Sequence, residues 1–186
     1  MATYLVDTNV MLAGCAVHDL LSRLAVEAMP REVELRQLVY HWLQDFDLSE
    51  DVIVMDEENL IRDEYERNMH FNKGMQAQEY GLQVLQYKLD RNLIEYVPVD
   101  VLDANGERIA ILSDDLTAIV TDREDRKWVA SAQSVNILFE ISAPIVYGAE
   151  SDWYKIEGAL QPHGIVFHRL LPEEWYEQVK KGVFNK

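Results

Sequence analysis

The chain has 186 residues, the length of one domain, and 48% of them are hydrophobic, enough for a sizeable core and too many for a disordered chain. Its 33 Asp and Glu against 17 Lys and Arg give a net charge of −16. That argues against a protein that grips nucleic acid by a broad basic face, and leaves room for a local basic strip or a metal site. The single cysteine, Cys15, excludes an internal disulfide framework, and there is no Cys/His zinc spacing. No apolar run approaches the ~18 residues of a membrane span, and the opening MATYLVDTN has no basic region ahead of an apolar one. The expectation is a cytoplasmic protein with no membrane association.

In chain order, residues 3–6 read as a short apolar strand that runs straight into polar Asp7, Thr8 and Asn9. A helix is expected over residues 9–28. A second is expected over 31–46, where Val33, Leu35, Leu38, Val39, Trp42, Leu43 and Phe46 keep a period near 3.6. Residues 52–55 read as a strand, 57–72 as a helix and 75–91 as another, with a turn at Asn72-Lys73-Gly74. A strand is expected at 93–99. Asn105-Gly106 is a strong tight-turn signal and predicts a small hairpin or loop insertion. Then come a short helix at 127–136, a strand at 145–147, a helix at 152–160 and a strand at 165–168. Pro172-Glu173-Glu174 opens a C-terminal helix over about 173–183. No repeat or Pro/Gly/Ser linker divides the chain, so a single domain over 1–186 is expected. Short strands alternating with helices predict an α/β sandwich on a mostly parallel sheet, whose sites form beyond the carboxyl ends of the strands.

Four places carry carboxylates in that setting, and each also has an ordinary structural reading. Asp7 follows the first strand directly and would also serve as a helix cap. Glu64 shares a helix face with Leu60 and Asn68, where a carboxylate is costly unless paired or bound to a metal; Arg62 or Arg67 would be the plain partner. Asp122 and Asp125 stand just before a helix whose dipole favours acids at its start. Glu150, Ser151 and Asp152 follow the strand at 145–147, where a cap is the common use of such residues. Several carboxylates converging on one point repel each other, and a hard divalent cation with oxygen ligands removes the conflict.

On these residues the sequence resembles the PIN-domain family, metal-dependent nucleases that include many bacterial toxin–antitoxin toxins. YLVDTNVMLAG is similar to the family's opening strand and its Asp, IRDEYERNM to the second block, DREDRKWVASA to the third and PIVYGAESDW to the fourth. ALQPHGIVFHRLLPEEW resembles the closing segment, and the likeness covers most of the chain. It implies a three-layer sandwich with a five-stranded, mostly parallel sheet. It also implies Mg²⁺ or Mn²⁺ held by Asp7, Glu64 and Asp125, with Asp152 completing the cluster. The chain departs from the family in carrying Glu150 where many members have Asp, so either Glu150 or Asp152 would be the fourth ligand; Asp152 is preferred. The middle, 75–118, is longer than in the smallest members and is given no function.

The expected activity is therefore a metal-dependent endoribonuclease acting on RNA phosphodiester bonds. Asp7, Glu64, Asp125 and Asp152 would be its catalytic acids, with Thr8, Asn9, Ser151 and Asp122 orienting them. Arg123, Arg126 and Lys127 are candidates to meet RNA, or else partners of neighbouring acids. The alternative is a catalytically weak or inactive PIN-like protein that binds or regulates through a protein partner. By the same resemblance an antitoxin and a homodimer are expected partners. A phospho-aspartyl phosphatase is disfavoured because Asn9, not Asp, stands two residues after Asp7. P-loop and nucleophile-elbow motifs are absent, and no histidine is assigned to catalysis.

Overall fold

The computed structural model describes residues 1–20, 22–72 and 77–181. Strand β1 (Thr3–Val6) is followed by helices α1 (Thr8–His18), α2 (Leu24–Glu27) and α3 (Val33–Leu48), then strand β2 (Val52–Asp56) and helix α4 (Leu60–Asn68). A two-stranded ribbon, β3 (Phe71–Asn72) with β4 (Ala77–Gln78), leads to α5 (Tyr80–Asp90) and β5 (Ile94–Val97). A hairpin of β6 (Val101–Ala104) and β7 (Glu107–Ala110) precedes α6 (Asp114–Ile119) and α7 (Arg126–Phe139). The chain closes with β8 (Ile145–Tyr147), α8 (Ser151–Leu160), a 3₁₀ turn at Gln161–His163, β9 (Phe167–Arg169) and α9 (Glu173–Lys180).

The central sheet runs β5-β2-β1-β8-β9, and every pairing in it is parallel. Thr3 lies opposite Val52, Leu5 opposite Ile145 and Val146 opposite His168. Leu5, Val6, Ile53, Val54, Ile145, Val146 and Tyr147 are all without solvent exposure. Successive strand residues point to opposite faces, so both faces are covered, as a purely parallel sheet requires. The expected α/β architecture is therefore present, in a form consistent with a three-layer sandwich. Among the described residues no helix is long and apolar enough to cross a membrane.

Several elements differ from their predicted spans for identifiable reasons. The helix expected over 9–28 is two helices. Backbone at Asp19 is extended, and Ser22 starts α2 by accepting from the Leu24 N–H at 3.1 Å while donating to Glu79 at 2.7 Å. The helix expected from 57 begins at Leu60, because the fully buried Asp56 carboxylate accepts the Leu60 and Ile61 N–H groups, each at 2.8 Å. Asn59 before it is left-handed, with φ 63°. That helix ends at Asn68, and 71–72 pair with 77–78 instead of extending it.

The helix expected over 75–91 starts at Tyr80, and α7 extends past the expected 136 to Phe139. Helix α6 was not expected from the sequence; Ser113 caps it by accepting from Leu116 N–H at 3.5 Å. The hairpin is present. Asn105 and Gly106 both have positive φ, 59° and 84°, as a two-residue hairpin turn demands. Of the turn expected at 72–74, Lys73 and Gly74 lie outside the described residues, as do positions 182 and 183 of the C-terminal helix.

Candidate functional site

The central strand β1 has β2 on one side and β8 on the other, so chain order reverses between β1 and β8. A crevice at the carboxyl ends of such a pair is where α/β sheets place their sites. Asp7 leaves β1 there, its N–H bonded to the Val146 carbonyl at 2.9 Å. Its side chain does cap α1: Oδ1 accepts the Asn9 backbone N–H at 2.9 Å and the Asn9 side-chain amide. Oδ2 accepts the indole N–H of Trp153, on α8, at 2.7 Å. Asn9 also joins the two strand ends, since its Oδ1 accepts the Gly148 N–H at 2.9 Å. A Cβ at Gly148 would lie 3.2 Å from that oxygen and 3.3 Å from a Val39 methyl, so the approach favours glycine.

Helix α4 is pinned to the same rim by Tyr65, buried against Trp128, whose hydroxyl donates to the Val6 carbonyl. This brings Glu64 to Thr8, whose hydroxyl donates to Glu64 Oε1. The other Glu64 oxygen is held by the ammonium of Lys127, which also donates to the Glu124 carbonyl. Neither Arg62 nor Arg67, the expected plain partners, is on Glu64: Arg62 pairs with Glu66 and Arg67 with Glu124, each at 2.8 Å.

Asp125 stands at the start of α7, half-buried, without capping it through its side chain. Burial pushes its carboxyl up to about 8, and the charges of Asp7, Asp122 and Glu150 add to the rise against the pull of Lys127. Burial pushes Asp7 up to about 7; Trp153 and the Asn9 N–H pull it down, and Glu64 and Glu150 push it back up. Glu64 and Glu150 thus act on Asp7, and Asp7 and Glu150 act on Asp125, so acids from four separate segments meet around Asp7.

After β8, the charge of Glu150 acts on both Asp7 and Asp125. It caps α8 by accepting the Asp152 N–H at 3.0 Å. Asp152, the preferred fourth ligand from the sequence, has a half-exposed side chain paired with Lys155 at 2.6 Å, one turn along the helix. Ser151 is the first residue of α8 and half-buried. Asp122 is exposed and bonds the Glu124 N–H at 2.9 Å. Arg123 is exposed, 3.8 Å from Glu107 of the hairpin. Arg126 turns back to the Val120 carbonyl at 3.3 Å. Lys127 is not at the surface: it is 5% exposed and its closest ion-pair partner is Glu64.

Trp153 and Lys127 are the site residues whose roles sequence reasoning missed. The signal for Trp153 was the obligation of a buried indole N–H to find an acceptor. Among the described residues, no three His, Cys, Asp or Glu side chains are gathered closely enough to hold an ion as they stand. The donor chemistry still suits a hard divalent cation, because every donor is a carboxylate oxygen and the charges of Asp7 and Glu150 already raise Asp125's affinity for positive charge. Compared with known proteins, no family model matches the chain, and no curated protein or solved structure matches it.

Proposed function

We propose that the chain is a metal-dependent endoribonuclease of the PIN type. One observation carries this reading: Asp7, Glu64, Asp125 and Glu150, from four segments, share the crevice at the switch point of a parallel sheet, with Asp7 and Asp125 pushed up to about 7 and about 8. Carboxyls in that state are short of positive charge.

Asp7, Asp125 and Glu150 would hold Mg²⁺ or Mn²⁺, with Glu64 at its edge. A bound divalent cation supplies a more acidic water and neutralises charge at a phosphoryl group. The chain's own residues set the stage for that chemistry. Asn9 and Trp153 fix both oxygens of Asp7, and Thr8 fixes one oxygen of Glu64, so the carboxylates are oriented before substrate arrives. Lys127 sets its ammonium beside Glu64. An antitoxin partner and a homodimer belong to the same reading and are checked by co-purification and solution mass.

Asp7→Asn and Asp125→Asn are assayed on single-stranded RNA with Mn²⁺. Loss of cleavage in both supports the assignment; cleavage equal to that of the unaltered chain overturns it. The second reading, a PIN-like protein that acts through a partner without catalysis, draws on Lys127, whose ammonium already holds Glu64. Calorimetry separates the two: no heat of Mn²⁺ binding favours the second.

A further inference from the structure

The β6–β7 hairpin has no part in the carboxylate site. Between it, α4 and the start of α7 lies a cavity of about 380 Å³. Arg67 of α4, Arg108 of β7, Arg123 before α7 and Lys127 of α7 line it, together with three acids, Asp63, Glu107 and Glu124. Four of the chain's 17 basic residues therefore meet in one cavity, against three acids in its lining, with Glu58 and Glu64 outside the lining as partners of Arg108 and Lys127. Lys127 is common to both places: it lines the cavity, and its ammonium lies on Glu64. The cavity is thus next to the carboxylate site.

The arginines are ready to change partners. Arg67, Arg108 and Arg123 pair with Glu124, Glu58 and Glu107, with arginine side chains 60%, 39% and 61% exposed. Exposed ion pairs contribute little, so exchanging a carboxylate for a phosphate costs little, and a guanidinium matches a phosphate with two parallel hydrogen bonds. The lining also offers carboxylates, which accept hydrogen bonds from exocyclic amino groups of bases. The volume lies in the range of small-ligand sites.

We propose that this cavity holds the RNA strand beside the scissile phosphodiester, with Arg108 and Arg123 on its backbone phosphates. The inference rests on the ribonuclease reading and gives the hairpin a role as one wall of the substrate path.

The test uses the full chain carrying Asp125→Asn, which spares the substrate, and a fluorescein-labelled single-stranded oligoribonucleotide read by anisotropy. Adding Arg108→Ala with Arg123→Ala should raise Kd about tenfold. It should also lower the slope of log Kd against log salt by about 1.4, two phosphates at ~0.7 each. Arg62→Ala, an exposed arginine away from this cavity, is the control and should stay within about twofold of the parent. Binding and salt slope in the double variant equal to the parent would overturn the inference and leave the ribonuclease reading standing. So would competition by an acidic peptide at the same concentration as the oligonucleotide. If instead the arginine changes weaken RNA binding while Asp7→Asn and Asp125→Asn cleave normally, the ribonuclease reading fails and the RNA-binding cavity stands. No RNA binding by the parent removes both.

Discussion

Two adjacent strands, β1 and β2, each end in a buried aspartate that starts the following helix, and the two aspartates have different surroundings. Asp56, the last residue of β2, has no solvent exposure, and its two oxygens each take one backbone N–H of α4. Asp7, after β1, takes one backbone N–H and two side-chain donors, and it also meets the charges of Glu64 and Glu150. A carboxylate that only holds a helix start is surrounded by donors. One surrounded by donors and by other carboxylates has a strength of negative field that no helix cap needs. Lys88 repeats the first pattern with the opposite sign: fully buried, it donates to the Ser49 and Asp51 carbonyls at 3.0 and 2.9 Å and lies over the Phe46 ring.

The comparison is sharpest in paired substitutions. Asp7→Asn should lower RNA cleavage by about a thousandfold while changing stability by less than about 1 kcal/mol, because the amide still accepts from Asn9 and loses the buried charge that Glu64 and Glu150 oppose, which offsets the acceptor taken from Trp153. Asp56→Asn should do the reverse: about 2 kcal/mol lost in denaturant unfolding, with cleavage per folded molecule retained, because one of two backbone N–H groups loses its acceptor. Cleavage lost equally in both would erase the distinction.

Lys127 is the next lever. Lys127→Met leaves Glu64, mostly buried, without its cation, and should cost about 3 kcal/mol in metal-free protein. Added Mn²⁺ should recover most of that loss in a thermal melt. A metal-free melting temperature equal to that of the unaltered chain would show that the pair has no weight in the fold.

The pH dependence follows from the raised carboxyls. Asp7 and Asp125 hold their protons more tightly folded than unfolded. Their contribution is therefore complete below about pH 4, the ordinary carboxylate range, and is lost as pH rises towards about 7 to 8. Metal-free protein should melt at progressively lower temperature over that interval. Asp125→Asn should flatten the trend, and saturating Mn²⁺ should suppress it. A melting temperature that rises across the interval would contradict the placement of these acids.

The smallest effect concerns Trp153. Trp153→Phe removes one donor from Asp7 and keeps most of the packing, so a loss of about 1 kcal/mol is expected. A shift of the cleavage pH profile towards higher pH should accompany it, as Asp7 loses a contact that lowers its pKa.

What was legible in the sequence was mostly local. TYLV, whose Leu5 and Val6 are buried, and the fully buried IVY form neighbouring strands of the sheet, and Asn105-Gly106 turns the hairpin because its two residues tolerate positive φ. Asp7, Glu64 and Asp125 were legible as acids at strand ends, on an inward helix face and at a helix start. The rest depended on partners distant in the chain. Helices α1 and α2 separate where Ser22 reaches Glu79, 57 residues on, a contact that periodicity does not encode. Asp152 and Glu150 read alike in the sequence; the Lys155 ammonium on Asp152 and the charge of Glu150 on Asp7 and Asp125 distinguish their surroundings only in the folded chain. Trp153 is a core residue with no exposure, and its single polar atom ties α8 to Asp7, a partner 146 positions away in the chain.

The most direct test is a crystal of the unaltered chain soaked in Mn²⁺ and measured at the manganese absorption edge. We expect an anomalous peak bounded by Asp7, Asp125 and Glu150, with Asp152 still on Lys155. A peak elsewhere, or none at this crevice at saturating Mn²⁺, would contradict a carboxylate site built for a divalent cation.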